Sequence, residues 1–331
     1  MRIGVLDHLL MREGASPIDP LDEAIELARF VEPLGYHRYW TSQFHATAGA
    51  TATAPEILAV RLAVATKKLR VGAGGVSLVN YSPYSIAQQF RLLEIMFPGR
   101  IDLGVGRNSA ARGLAHEALL YGSPHGKHSF ERKLTDLLAF LDGRDPTDPA
   151  WKGLRALPEL DRAPEVWGLG SGGRSREIAA RNGLAFSYAH FVDPSSAVGE
   201  LRRYREGFRP SARLASPRAS IAVSVICADT ESEAIRLRAS RDRWFVETFN
   251  GGDPLIRTVE DALAFPFMRS DRELVRDKRQ CVILGAPEQV RAQISTLVHE
   301  SGAEEVLIET MTHDFEARKR SYALIGEALL R

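Results

Sequence analysis

The segment from Lys68 to Arg107 reads KLRVGAGGVSLVNYSPYSIAQQFRLLEIMFPGRIDLGVGR and decides the fold class. An apolar strand runs into Gly74-Gly75, a helical pattern covers Ile86–Met96, and a second strand ends in GVGR. Such a strand–helix–strand unit is typical of a parallel sheet. Because glycine lacks a Cβ, a glycine pair at the carboxyl end of a buried strand lets a flat or phosphorylated ligand approach the backbone. The segment therefore predicts a ligand site at this rim, where the Arg107 guanidinium suits an anionic oxygen.

Strand and helix patterns alternate along most of the 331 residues. Eight strand patterns are each followed by a helical one: Ile3–Leu6, Tyr39–Thr41, Leu69–Leu78, Ile101–Gly104, Val166–Leu169, Ala185–Tyr188, Ile221–Ala228 and Val306–Glu309. Eight such units predict an α/β protein with one (β/α)8 TIM-barrel domain over residues 1–331. The irregular stretches 144–163 and 245–278 predict insertions after strands 4 and 7. A doubly wound sheet is the alternative, because counting strands does not show closure.

Composition excludes several classes of protein. The chain has 43 Lys and Arg against 42 Asp and Glu, so the formal net charge of +1 indicates no basic surface for nucleic acid. No apolar run approaches the ~20 residues of a membrane span. The only two cysteines, Cys227 and Cys281, are far apart, which excludes a disulfide framework and favours a reducing compartment. We therefore expect a cytoplasmic protein without nucleic-acid or membrane partners.

The loop after the fifth strand is a second candidate for anion binding. Residues 166–183 read VWGLGSGGRSREIAARNG, a strand, a Gly/Ser loop and the start of a helix. Free backbone N–H groups, serine hydroxyls and the helix dipole all favour an anion at such a loop. The loop lacks a P-loop lysine and does not read G-x-G-x-x-G, so a single phosphate monoester fits best, with Arg107 as charged partner. The alternative is a turn whose serines merely cap the helix.

Polar side chains also follow the early strands. His8 follows the first strand, Gln43 and His45 follow the second, and Asn80 follows the third. In a barrel these positions meet at the carboxyl rim, although a lone histidine is more often structural than catalytic. No spacing resembles a zinc site, no metal is expected, and no G-x-S-x-G elbow is present. A cofactor that supplies its own chemistry is therefore favoured.

Seven segments, spread from Gly35 to Leu329, resemble those of a known family. They are GYHRYW, LRVGAGGVSLVNYSPYSIAQQFRLLE, PGRIDLGVGR, LLAFLDG, VWGLGSGGRS, LGAPEQVR and THDFEARKRSYALIGEAL. Their order and spacing resemble the bacterial-luciferase-like flavin-dependent monooxygenases, in the single-gene subgroup often found in biosynthetic clusters. The resemblance implies a TIM barrel that binds reduced FMN, forms a flavin C4a-peroxide with O₂ and oxygenates a small organic substrate. An oxidoreductase of the same superfamily that uses F420 is the alternative.

The resemblance also implies roles for individual residues and partners. A non-prolyl cis peptide bond that supports the isoalloxazine ring maps onto Gly74-Gly75, and the phosphate contacts map onto Arg107 and the loop Ser171–Ser175. The implied cofactor-binding set is Gly74, Gly75, Asn80, Arg107, Ser171, Gly172, Arg174 and Ser175. A separate NAD(P)H:flavin reductase would supply FMNH₂, and the chain would form a homodimer.

One departure from the family pattern affects the expected chemistry. After the second strand the family typically reads Glu-His-His, and its first histidine is implicated in catalysis; here the residues are Gln43, Phe44 and His45. A phenyl ring can neither move a proton nor donate a hydrogen bond. Either His45 or His8 replaces the histidine, with Gln43 as the third catalytic candidate, or the reaction needs no base there. A non-catalytic flavin-binding protein is the alternative from a different class.

Overall fold

Eight parallel strands close into a barrel. The structure is a computed structural model that describes residues 1–108, 111, 113–121, 129–160, 162–252 and 254–330. Its described strands are β1 Arg2–Asp7, β2 Arg38–Thr41, β3 Arg70–Ser77, β4 Ile101–Gly106, β5 Glu165–Gly170, β6 Ala185–Ala189, β7 Ala219–Cys227, β8 Val282–Gly285 and β9 Glu305–Glu309. β1 to β7 pair with one another in sequence order. β9 pairs with both β7 and β1, and these two pairs close the ring. The predicted TIM barrel is confirmed, and the doubly wound alternative is wrong.

Helices surround the barrel. In the described residues they are α1 Asp19–Val31, α2 Pro55–Ala65, α3 Pro83–Met96, α4 Leu114–Leu119, α5 Phe130–Leu141, α6 Gly173–Arg181, α7 Ala197–Glu206, α8 Glu231–Phe249, α9 Val259–Ala264, α10 Arg269–Arg279, α11 Pro287–Ser301 and α12 Phe315–Leu330. In the segment Lys68–Arg107, α3 begins three residues earlier than the periodicity predicts. Pro83 occupies its first turn, and the Ser82 hydroxyl caps the Ser85 N–H.

The stretch after β7 contains a strand that the sequence did not predict. Four residues, β8, pair in parallel with Ser224–Cys227, while the first half of β7 pairs with β9. So short a segment has no measurable period of its own, and its extended form depends on β7. The eight predicted strands are those of the barrel, and β8 lies outside it against α8 and α11.

A buried ionic network closes the amino-terminal end of the barrel. Arg38, at the start of β2, is fully buried; it donates to Asp102 at 2.6 Å and also to Glu305. The Asp102 carboxylate further accepts from Trp40 Nε1 at 2.9 Å and from Arg70 Nε at 2.9 Å. Burial of charge is tolerated where opposite charges and hydrogen bonds pair with it, as they do here. Because this end is filled, the open end of the barrel is the carboxyl rim.

Candidate active site

An apolar cleft of about 280 Å³ opens at the carboxyl rim. Its floor contains Gly74, and the Gly74-Gly75 peptide bond is cis, at the position that the family resemblance implies. A Cβ on Gly74 would lie 2.9 Å from both Leu6 Cδ1 and Trp40 Cβ, so no side chain fits there unless its neighbours move. The cleft is lined by Leu6, Trp40, Gly74, Leu169, Gly170, Ser187, Ala189, Phe191, Ala222 and Leu307. These mostly apolar walls and the bare backbone fit a flat aromatic ring.

Two arginines converge at one side of this rim. The Arg174 guanidinium donates to Glu131 Oε1 through Nε at 2.9 Å. The pKa of Glu131 is lowered by a backbone N–H at the start of α5, by the Arg174 hydrogen bond and by the charge of Arg107. Both arginines are exposed. The Glu131 carboxylate is therefore bonded to Arg174 and influenced by the charge of Arg107. Glu131 was not anticipated from the sequence.

The Gly/Ser loop leads into α6 beside these arginines. No described side chain caps the start of α6, where Gly172 occupies the N-cap position. The Ser175 N–H is bonded to the Gly172 carbonyl oxygen at 3.1 Å, and Gly170, with φ of +159°, bends the chain against Ser175. The first backbone N–H groups of a helix have no partner within the helix. Ser171, Gly172, Arg174 and Ser175 thus lie around an uncapped helix start, as an anion site requires.

Asn80 lies deeper, behind the same rim. Its side chain is buried, and His116 Nδ1 is 3.0 Å from Asn80 Oδ1. The nearby Lys133 ammonium donates to the Val79 carbonyl oxygen at 2.6 Å, and burial lowers the pKa of Lys133. The sequence placed Asn80 at the rim but gave no indication of His116 or Lys133, since both come from helices that follow β4.

Gln43 connects the ends of two strands. Its Oε1 accepts from the Ser77 N–H at 2.9 Å, and its Nε2 donates to the Tyr81 hydroxyl at 3.0 Å and to the Thr53 carbonyl oxygen at 3.3 Å. The amide is buried, and both its oxygen and its nitrogen are hydrogen-bonded. This arrangement holds the residues after β2 against those after β3, and it leaves no amide hydrogen free for another group.

His45 is bound to Tyr81 beyond this amide. The Tyr81 hydroxyl lies 2.8 Å from His45 Nε2. Burial, with a smaller contribution from Glu56, raises the pKa of Tyr81 to about 12, and burial lowers the pKa of His45. His45 does not line the cleft. Gln43, Tyr81 and His45 instead form one hydrogen-bonded series among the residues that follow β2 and β3.

His8 occupies a different position. Its Nδ1 is 2.6 Å from the Ser42 hydroxyl oxygen, and its ring stands edge-on to Phe44 and Phe191, at centroid distances of 5.8 and 5.7 Å. Burial lowers the pKa of His8 below 6.5, against the opposing charges of Glu309 and Asp7. Since Phe191 also lines the cleft, His8 is one residue removed from it, and it is neutral at pH 7.

A second, larger cavity begins at His8. It measures about 740 Å³ and adjoins the cleft through Phe191, which lines both. Its walls are His8, Leu10, Phe44, Phe191, Val192, Ser224, Arg241, Trp244, Phe245, Lys278, Glu309 and Met311. Phe44, which replaces the family's histidine, is therefore an apolar wall of this cavity. The sequence did not predict the cavity, because its walls come from seven separate parts of the chain.

Among the described residues, no group of three or more His, Cys, Asp or Glu side chains could hold a metal ion. Within the same ranges, no helix combines the length and apolar character needed to cross a bilayer.

Comparison with known proteins identifies the family. The luciferase-like monooxygenase family profile matches residues 1–305. The chain is 38% identical to the uncharacterized protein YceB of Bacillus subtilis (strain 168), over 100% of both proteins. It is 31% identical to the N-acetyl-S-alkylcysteine monooxygenase of the same strain, over 100% of this chain and 98% of that protein. The crystal structure of apo-MsnO8 shares 34% identity and a TM-score of 0.89, over 99% of this chain and 97% of that one.

The protein belongs to the luciferase-like monooxygenase family. More distant structures share its fold alone. One is the oxygenating constituent of 3,6-diketocamphane monooxygenase from Pseudomonas putida in complex with FMN, at 19% identity and a TM-score of 0.71. Another is an F420-dependent secondary alcohol dehydrogenase, at 15% identity and a TM-score of 0.69. Structures with this fold thus include an FMN-bound enzyme and an F420-dependent one.

Proposed function

We propose that the protein is a monooxygenase that uses reduced FMN and O₂ to oxygenate a small organic substrate. The observation that carries this proposal is the position of two arginines around the Glu131 carboxylate. Arg174 donates to it and the charge of Arg107 acts on it, and Arg174 comes four residues after Gly170, which lines the apolar cleft. FMN joins a flat, largely apolar ring to a single phosphate monoester, and these two parts match the cleft and the arginines. When bound, reduced FMN would activate O₂, so that one oxygen atom enters the substrate and the other leaves as water.

The residues of this chain would bind, orient and shield the reactants. Gly74 and Gly75 would support the ring, while Arg107, Arg174 and the start of α6 would hold the phosphate. The apolar cleft would exclude water from the reacting atoms. We assign to His8, rather than His45, the role of the histidine that Phe44 replaces. His8 lines the larger cavity and contacts Phe191, which lines both cavities, whereas His45 lines neither and is bonded to Tyr81.

Anaerobic titration with reduced FMN and with reduced riboflavin tests the cofactor assignment. We expect the wild-type protein to bind reduced FMN, and the double variant Arg107→Ala/Arg174→Ala to bind it at least about tenfold more weakly, because each charged hydrogen bond contributes about 1.5–3 kcal/mol. Riboflavin lacks the phosphate, so its affinity should not change. Arg181→Ala, at the other end of α6 and paired with Glu177, is the matched control.

Four outcomes would contradict the proposal. Absence of FMN binding would remove its basis, and so would an unchanged affinity in the double variant. Tighter binding of F420 in a parallel titration would redirect the assignment to an F420-dependent oxidoreductase. If FMN binds but O₂ oxidises it no differently from free flavin, with no product, the protein is a flavin-binding protein without catalysis.

The expected partners are also proposals. A separate NAD(P)H:flavin reductase would supply FMNH₂, since the sequence carries no nicotinamide-binding fingerprint. For the homodimer, the support is an apolar surface on α2 and α3 that contains Ile57, Val64, Leu92 and Met96. Sedimentation should show a dimer for the wild type and a monomer for Val64→Glu/Leu92→Glu. The two buried, unpaired cysteines fit a reducing cytoplasm.

A further inference from the structure

The larger cavity contains a buried cation. Arg241, on α8, is 1% exposed and lines the cavity. Its Nη1 donates to the Lys278 carbonyl oxygen at 3.3 Å, and the Phe245 ring covers its guanidinium at 4.5 Å. Within the described ranges of the chain, no carboxylate lies within ion-pair distance of it. A guanidinium has five N–H donors, so most of the hydrogen-bonding capacity of Arg241 is unused.

Another donor in the same cavity is also unused. Ser224, near the end of β7, is 1% exposed and lines the cavity. Its hydroxyl finds no hydrogen-bond partner among the residues that the structure describes. A buried polar group without a partner costs free energy comparable to a lost hydrogen bond, unless a ligand satisfies it. Ser224 and Arg241 therefore both offer donors to an occupant of the cavity.

The charges around the cavity leave a net positive value. Arg241 and Lys278 carry positive charges, Glu309 carries a negative one, and His8 is neutral at pH 7. Burial lowers the pKa of Arg241, although Glu309 and Asp242 oppose that effect, so the nearby carboxylates do not fully compensate the buried charge. Asp242 is itself engaged by Arg279 and Arg238. A monoanionic occupant would balance the cavity.

The remaining walls fit the apolar part of such a molecule. Phe44, Phe191, Trp244 and Met311 line the same cavity as the charged groups, and Phe191 also lines the cleft. These side chains exclude water, which strengthens a charge-assisted hydrogen bond inside the cavity.

We propose that this cavity binds the substrate as a carboxylic acid with an apolar body, its carboxylate held by Arg241 and Ser224. The proposal rests on the proposed function, since it takes the cavity beside the flavin cleft as the substrate site. It assigns the substrate class by chemistry: a monocarboxylate with an aliphatic or aromatic body.

Isothermal titration of the flavin-free protein with matched probes tests the proposal. The probes are octanoate with octanamide, and phenylbutanoate with phenylbutanamide; each pair shares its apolar body and differs in charge. We expect the wild type to bind at least one acid about tenfold more tightly than its amide. Arg241→Met should abolish that preference, and Ser224→Ala should reduce it about threefold. Arg238→Met, one turn earlier on α8 and paired with Asp242 at 3.3 Å, should keep it.

Two results would overturn the proposal: neither acid binds the wild type more tightly than its amide, or the preference survives Arg241→Met. Because Arg241 is buried, unchanged binding of reduced FMN by Arg241→Met serves as the check of its fold. If Arg241→Met does not fold, the proposal is tested by two other measurements. These are the preference of the wild type for acid over amide and the loss of that preference in Ser224→Ala. A wild type that prefers the acids but fails to bind FMN would contradict the proposed function alone.

Discussion

The imidazole of His8 and the hydroxyl of Ser42 lie 2.6 Å apart, from Nδ1 to Oγ, and His8 lines the larger cavity. This hydrogen bond joins the residue after β1 to the residue after β2. It fixes the orientation of the ring, and His8 Nε2 is then the nitrogen left for a reactant.

The two histidines should differ in their effect on turnover. We expect His8→Phe to lower the product formed per FMNH₂ supplied by about 10²-fold, the usual minimum contribution of a positioned acid–base group. His45→Phe should change it less than about threefold, because His45 is bound to Tyr81 outside the cleft. The assay uses the tightest-binding carboxylate under single-turnover conditions. A larger loss in His45→Phe would reverse the assignment.

The pH profile should report the same residue. Burial lowers the pKa of His8 from 6.5, so its neutral form persists to more acidic pH than that of a free imidazole. If the neutral imidazole is required, turnover should decline on the acidic side with an apparent pKa below 6.5. His8→Gln should have lower turnover without this acidic limb. A wild-type profile that already declines above pH 6.5 would exclude His8 as the titrating group.

A bulky side chain in the cleft and one in the larger cavity should each weaken the binding of a different ligand. Ala189 lines the cleft and is half-buried, while Val192 lines the larger cavity and is exposed. We expect Ala189→Phe to weaken FMN binding by more than about tenfold and to leave binding of the carboxylate probes intact. Val192→Phe should show the opposite pattern. Anaerobic titration and calorimetry measure the two affinities, and equal effects on both ligands would argue against two distinct sites.

The ionic network at the closed end should dominate stability. Asp102→Asn removes the charge that pairs with Arg38 and Arg70, and we expect it to lower the free energy of unfolding by about 3–5 kcal/mol. Asp22→Asn breaks an exposed pair with Arg61 and should cost less than about 1 kcal/mol. Urea unfolding of both variants measures the difference. Similar losses would mean that the buried network is no stronger than a surface pair.

His37 should contribute to acid sensitivity. Burial, together with Arg38, Arg2 and Arg70, lowers the pKa of His37 to about 4 from 6.5. Between those values the unfolded chain binds more protons than the folded one, so stability is complete above pH 6.5 and falls as the pH falls toward 4. His37→Gln should make the melting temperature less dependent on pH across this window. An identical pH dependence in the variant would show that other groups are responsible.

The fold was predictable because it depends on local patterns. The apolar strands and their helices recur along the chain, and the barrel closes with the eight strands that the sequence predicts. β8 was missed, since its four residues become a strand only by pairing with β7. The resemblance implied Gly74-Gly75 as the position of a cis peptide bond, and the structure has one there. The binding roles of the predicted site residues stay predictions.

The sequence by itself determined the parallel barrel, the glycine-rich rim and the residue types that follow each strand, because these features arise from neighbours along the chain. Only the tertiary structure decided that His8 lines the larger cavity while His45 lies outside it, bonded to Tyr81. It alone brought Arg241 from α8 and Ser224 from β7 to a single cavity. The physical reason is that the free-energy cost of a buried charge or an unpaired hydroxyl, and so its capacity to bind a ligand, depends on the groups around it. Those groups are distant in sequence.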